Sequence, residues 1–151
     1  MNMTRNTRKN LMLRRRGGGN TLVEMMLLLP ILLGLSFGAV EYGYAMYIKH
    51  TLQGAAREGA RASIVSGATA AEVQTAVDGA MLAAGFGQTK YTRPCTISPA
   101  NWTTANMGTA ITVTVSGQWG TIGFSALPTY LGGIPTTKVI SGSTTMRKEA
   151  T

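Results

Sequence analysis

One cysteine, one histidine and six carboxylates are a thin supply of chemistry for 151 residues. With His50 and Cys95 alone of their kinds, a metal site of the Cys/His type is excluded by count. A His-based triad would have to gather its partners from an acid-poor chain, so no enzyme activity and no cofactor are expected. Cys95 has no second thiol to pair with inside the chain; it is either a bystander or, in an oxidising compartment, a bridge to another subunit. Gly17, Gly18 and Gly19 follow arginines instead of a strand, which rules out a phosphate-binding loop.

The few acids are also unevenly placed. None precedes Glu24, whereas Arg5, Arg8, Lys9, Arg14, Arg15 and Arg16 all do. The formal charge of +8 is therefore mostly a property of the N-terminus: without residues 1–19, eight bases face six acids, a balance of +2. Nucleic acid is not an expected partner. The length allows one ordinary domain, and once a leader and a membrane segment are set aside, the remaining ~100 residues bury only a modest core.

What is present is a long apolar run. No residue from Met25 to Val40 is charged, and with Glu24 neutralised the span extends back to Thr21. That is about 20 residues, enough helix to cross a bilayer core of roughly 30 Å. The unopposed cations ahead of it keep the N-terminus cytoplasmic and send the rest outward. Tyr42, Tyr44 and Tyr47 crowd the far end, where amphipathic rings favour the membrane boundary. A single-pass protein of the inner membrane, with its bulk outside the cytoplasm, is the expectation.

Glu24 does not suit an ordinary anchor, because a carboxylate in lipid costs several kcal/mol unless paired or protonated. Cleavage between Gly19 and Asn20 would place it fifth in the mature chain and create an α-ammonium one helical turn away, on the same or a neighbouring subunit. The order of basic leader, glycine, four residues, Glu and apolar helix resembles a type IV prepilin processing site. The plainer reading is a first-turn acid that complements the helix dipole at the headgroups.

Beyond the run the helical pattern continues. Ile48, Leu52, Ala55, Gly59 and Ile64 line one face, while Lys49, Gln53, Arg57 and Arg61 fall largely elsewhere. An unbroken helix from Asn20 to about Val65 would be roughly 70 Å long, with a kink expected at Pro30 and an end at Ser66-Gly67. Gly34 and Gly38, Ala39 and Gly43, and Ala55 and Gly59 each repeat a four-residue spacing of small residues, which admits close helix packing or simply faces lipid. Arg57, Glu58 and Arg61 form a mixed-charge surface, either a solvated face with local ion pairs or a subunit contact.

Thr69 with Glu72 announces a second helix through a capping box. Val73, Ala76, Val77, Ala80, Met81 and Ala84 supply its apolar stripe, and Gly85 and Gly87 close it. Ala110 to Ser116 alternates apolar and hydroxyl residues as a half-buried strand does. Lys138 to Met146, broken by Gly142, and Lys90 to Ile97, an edge because of Pro94, are weaker strands. In the loop from Gly117 to Pro135, Phe124, Leu127, Tyr130 and Leu131 either fold back on the long helix or face a partner. The predicted class is α+β and pilin-like: a long N-terminal transmembrane-and-spine helix, a second helix and a small antiparallel sheet.

The segment LVEMMLLLPILLGLSFGAVEYGYAMYIKHTLQGAAREGARAS resembles the N-terminal region of the TadE-like family, pseudopilins of the tight-adherence (Flp-type) pilus machinery. The resemblance rests on Leu22–Glu24, the early Pro30, the Gly-x-x-Glu-x-Gly from Gly38 to Gly43, and Ala55–Arg61, and returns faintly at Thr144–Glu149. Met25 departs from the Tyr that follows the Glu in major Flp pilins, which argues against the major subunit. The resemblance implies a minor pilin or pseudopilin with Glu24 setting register against a neighbour's new N-terminus. It also implies as partners a prepilin peptidase, the inner-membrane assembly platform and companion pseudopilins, besides membrane lipid. The corresponding divisions are a leader (1–19), a transmembrane helix (20–48), its extracytoplasmic continuation (49–66) and a small α+β domain (67–151). Two other classes share much of this pattern: an anchored binding or adhesion module that retains its leader, and a secreted protein cut near Ser36-Phe37-Gly38.

Overall fold

The structure, a computed structural model, describes residues 18–149. The basic block Arg14–Arg16 and everything before it lie outside the described residues, as do the side chains of Gly18, Gly19 and Asn20. Helix α1 runs Gly18–Ser63, and two compact units divide within it, one ending at Ser36 and the other beginning at Phe37.

In the first unit, residues 18–36 are helical throughout, with Pro30 inside the helix. Leucine and methionine predominate, good helix formers whose side chains point outward here. The large apolar residues from Leu22 to Leu35 are all exposed, Met26 and Leu35 at 70% each. A length of helix this apolar and exposed has the composition and size of a membrane span.

The second unit carries the core. Helix α2 (Ala70–Ala83) starts where the sequence predicts: the Thr69 side chain accepts from the Glu72 backbone N–H, and the Glu72 carboxylate accepts from the Thr69 N–H at 2.8 Å. These bonds, the Thr69 backbone N–H first, hold the Glu72 carboxyl below its ordinary range. Val73, Val77 and Met81 form its buried stripe. Three antiparallel strands, β1 (Thr96–Ser98), β2 (Ala110–Gln118) and β3 (Val139–Arg147), make one sheet in the order β1-β2-β3. In β2 the alternation resolves cleanly: Ile111, Val113 and Val115 are buried against the helices while Thr112 and Thr114 face the other side. Ile48, Leu52, Ala55, Ala56 and Ala60 of α1 complete this core with Trp102, Trp119 and Ile122.

The α+β arrangement is as the sequence predicts, and the differences are local. Helix α1 stops at Ser63, ahead of Ser66-Gly67, since the buried Ser63 hydroxyl bonds back to the Ala60 carbonyl and the Ile64 carbonyl accepts from the Glu149 N–H after β3. Of the segment expected as a strand from Lys90 to Ile97, only Thr96 and Ile97 pair as one, in β1, because Gln88–Lys90 forms a 3-10 turn and Tyr91 turns into the core. Gly142 does not interrupt β3; it pairs with Val115 and lets the sheet touch the α1 backbone. The Gly117–Pro135 loop is partly ordered by two helical turns, Trp119–Ile122 and Thr129–Leu131.

One polar cluster ties α2 to the chain after it. Asp78 accepts hydrogen bonds from Gln74, Tyr91, Gln88 and Arg93 and pairs with the Arg93 guanidinium. Burial works to raise the Asp78 carboxyl, but the bonds from Tyr91, Gln74 and Arg93 and the Arg93 charge outweigh it and leave the group below its ordinary value. The Tyr91 phenol shifts the opposite way, raised by burial and by the bond it donates to that carboxylate. A depressed carboxyl adds stability that is complete above the unfolded Asp value of about 3.9 and is lost as pH falls through the folded value. Asp78→Asn should therefore cost about 1–3 kcal/mol at neutral pH and flatten the acid limb below about pH 4. Denaturant titrations at stepped pH check both.

Candidate functional site

The candidate site is the length of α1 that the sequence marks out, together with what the fold packs against it. In the first unit, Glu24 lies on an exposed helical surface among Leu22, Val23, Met25 and Met26. Asn20 is one turn earlier on the same helix. Near Gly34 a Cβ would meet nothing within 4 Å, so this small residue leaves an open notch.

The second unit uses its small residues differently. Gly43 is also open, but a Cβ on Gly38 would meet Leu127 Cδ1 at 3.6 Å, and one on Gly59 would meet Val77 Cγ2 at 2.7 Å and Val113 Cγ1 at 3.1 Å. Gly59 thus admits α2 and β2 to the helix within the chain. Arg57, Glu58 and Arg61 are exposed, and Arg61 lies 3.9 Å from Glu58, a loose surface pair worth a fraction of a kcal/mol. His50 is exposed; the half-buried Cys95 thiol is pushed up by burial, and its backbone N–H donates to Gln74. Among the described residues, no three of His, Cys, Asp and Glu gather closely enough to ligate a metal ion.

Glu41 is the residue that the sequence reading did not assign a role. It is 2% exposed, and its two carboxylate oxygens accept separately from the backbone N–H groups of Leu127 (3.1 Å) and Ile134 (2.8 Å). One acid of α1 thereby closes the loop between β2 and β3. Tyr44, one turn along, supports the same loop through an edge-on contact with Phe124 at 5.0 Å between ring centres, and with Trp119 at 6.2 Å. The loop folds tightly between its two anchor points. Leu131, Gly132 and Gly133 N–H groups turn back onto Pro128 and Thr129 carbonyls, Gly132 has φ +94°, and a Cβ on Gly133 would lie 2.1 Å from the Leu127 oxygen. The available signal was an acid immediately after the uncharged run, flanked by Gly38 and Gly43: a buried carboxylate needs donors, and small neighbours make room for the segment that brings them.

Of the four loop residues marked in the sequence, Leu127 and Phe124 reach back to α1, while Tyr130 and Leu131 remain 84% and 61% exposed. No curated protein and no solved structure matches the chain. The family model described as TadE-like protein matches residues 19–61, which takes in Glu24, Pro30, Gly38, Glu41, Gly43 and Ala55–Arg61. Over this length of helix α1, the chain is similar to the TadE-like family.

Proposed function

We propose that the chain is a minor pilin or pseudopilin, inserted in the inner membrane as a precursor with its N-terminus cytoplasmic, trimmed after Gly19, and used to assemble Flp-type (tight-adherence) pili. The observation that carries this reading is an apolar helix whose large residues are exposed from Leu22 to Leu35, carrying one acid near its start, in the segment that is TadE-like. Residues 20–48 serve as the membrane anchor, 49–66 as its continuation and 67–151 as the extracytoplasmic domain. A prepilin peptidase removes residues 1–19, and the inner-membrane platform and companion pseudopilins receive the product.

Glu24 supplies the register in this scheme. Once Asn20 is the N-terminus, its α-ammonium and the Glu24 carboxylate are complementary, and between subunits the pair fixes how far one helix slides along the next. The open notch at Gly34 favours close approach of such a neighbour. Arg57, Glu58 and Arg61 remain outside lipid as a mixed-charge surface for it.

Two measurements test the reading. Mass spectrometry of the purified native protein should give a mature N-terminus at Asn20. An intact leader points instead to an anchored binding module, and a start near Ala39 to a secreted protein. Glu24→Gln should leave membrane insertion intact while reducing pilus assembly by roughly 30-fold, the equivalent of about 2 kcal/mol for a pair lost in lipid. Normal piliation in that variant removes the register role.

A further inference from the structure

Glu41 poses a problem of position that its loop answers. The uncharged run ends at Val40, so this carboxylate stands at the edge of the hydrocarbon core, inside the anchor on the reading of residues 20–48 as that segment. A charge at that depth requires shielding from lipid. The loop provides it on its inner side, with two backbone donors and with Leu127 against Gly38, a residue inside the uncharged run itself. Away from α1 it carries Tyr130 and Leu131 exposed, which is the reverse of what a shield facing water would present.

A groove continues from this loop. Of about 660 Å³, it is lined by Tyr42, Met46, Ile134 and Val139 among others, and Lys49 and Lys138 are the charged residues lining it among those described. Lys49 follows Glu41 by about 12 Å along the helix, a few Å past a headgroup region roughly 5–8 Å deep, a gap that the lysine stem spans by reaching back. Along α1 the lining runs Tyr42, Ala45, Met46 and then Lys49, so a tyrosine and apolar side chains nearer the uncharged run are followed by an ammonium group on the side away from it.

We propose that the loop pinned by Glu41 docks on the outer leaflet, with Tyr130 and Leu131 inserted at the interface and the groove between α1 and the start of β3 holding an anionic phospholipid headgroup through Lys49 and Lys138. The domain then rests on the membrane through a second foothold beside its helix. Tyrosine suits the first task because its ring is apolar and its hydroxyl wet. Lysine suits the second, since its long stem lies along apolar surface while its charge reaches the phosphate layer.

The test uses the full chain in vesicles, with Cys95→Ser and a nitroxide on one introduced cysteine at a time: Tyr130→Cys, Leu32→Cys as the reference inside the anchor, and Ser143→Cys on the exposed face of β3. Accessibility to oxygen and to a water-soluble nickel complex is compared in phosphatidylcholine and in an equimolar mixture with phosphatidylglycerol. The expected result is lipid-like accessibility at 32 in both, water-like at 143 in both, and lipid-like at 130 with deeper immersion in the anionic mixture. Lys49→Gln with Lys138→Gln should abolish that extra immersion. A water-like label at 130 with a lipid-like label at 32 overturns the docking and leaves the anchor standing, whereas a water-like label at 32 overturns the anchor reading. Equal immersion at 130 in both mixtures overturns the headgroup assignment.

Discussion

Gly142→Ala is expected to destabilise the domain by about 3 kcal/mol or more, at or above the usual upper end for an overpacked core. An alanine Cβ at this position would lie 2.3 Å from the Gln53 nitrogen, 2.5 Å from the Leu52 carbonyl carbon and 2.6 Å from Gln53 Cα. All three are backbone atoms in the middle of α1, so no side chain can swing away. Relief requires β3 to lift from the helix, and β3 is held across its length by nine-residue pairing with β2. Lifting would also expose the core that Val115 and Leu52 share. In a domain of this size the loss corresponds to a fall in melting temperature of about 12 °C or more, measurable by circular dichroism in detergent. Ser143→Ala, one residue along on the exposed face, should stay within about 0.5 kcal/mol. Gly59→Ala makes a useful contrast, because its nearest obstacle is the Val77 side chain and trimming that residue should restore much of what the methyl costs.

The same glycine shows why part of the fold was legible in the sequence and part was not. Periodicity reports which face of an element is apolar, so the stripe of α2, the alternation of β2 and the buried face of α1 could all be read without coordinates. The Thr69 capping box was legible for a related reason, since both of its bonds are local. Gly142 carries no such information: a glycine in a strand marks either an interruption or a close approach, and only the partner decides between them. Tyr91 likewise looks like a strand residue until Asp78, thirteen positions earlier, supplies an acceptor for its hydroxyl. Glu24 stands out because the apolar run makes an acid conspicuous, whereas Glu41, among tyrosines at the border, is legible only as the acid of the Gly-x-x-Glu-x-Gly, with no role attached. Its donors are 86 and 93 residues away, and no pattern in the neighbouring sequence encodes them.

Glu41→Ala is the second large effect expected, and its signature should be local. The substitution removes two backbone hydrogen bonds to the carboxyl oxygens, each worth about 0.5–1.5 kcal/mol or more, and it leaves the Leu127 and Ile134 N–H groups to find water. The loop can do so by opening, because its other attachments to α1 are side-chain contacts, Phe124 on Tyr44 and Leu127 at Gly38. The cost is thereby limited to the free energy of releasing residues between Phe124 and Ile134, and the core beneath β2 is spared. Amide exchange at Leu127 and Ile134 should accelerate by roughly 100-fold, matching about 3 kcal/mol, while exchange at Val113 and Val115 changes little. Glu41→Gln separates charge from shape. Its amide retains one oxygen for one of the two donors and turns an NH₂ toward the other, so exchange should quicken at one of the two positions more than at its partner. If both carboxylate bonds serve to hold the loop at the membrane boundary, releasing them frees Tyr130 as well, and a nitroxide at that position should lose its lipid-like accessibility in the alanine variant while the label at Leu32 keeps its own. Protection at 127 and 134 that survives in Glu41→Ala would mean that the Phe124 contact and the turn around Gly133 hold the loop without the acid.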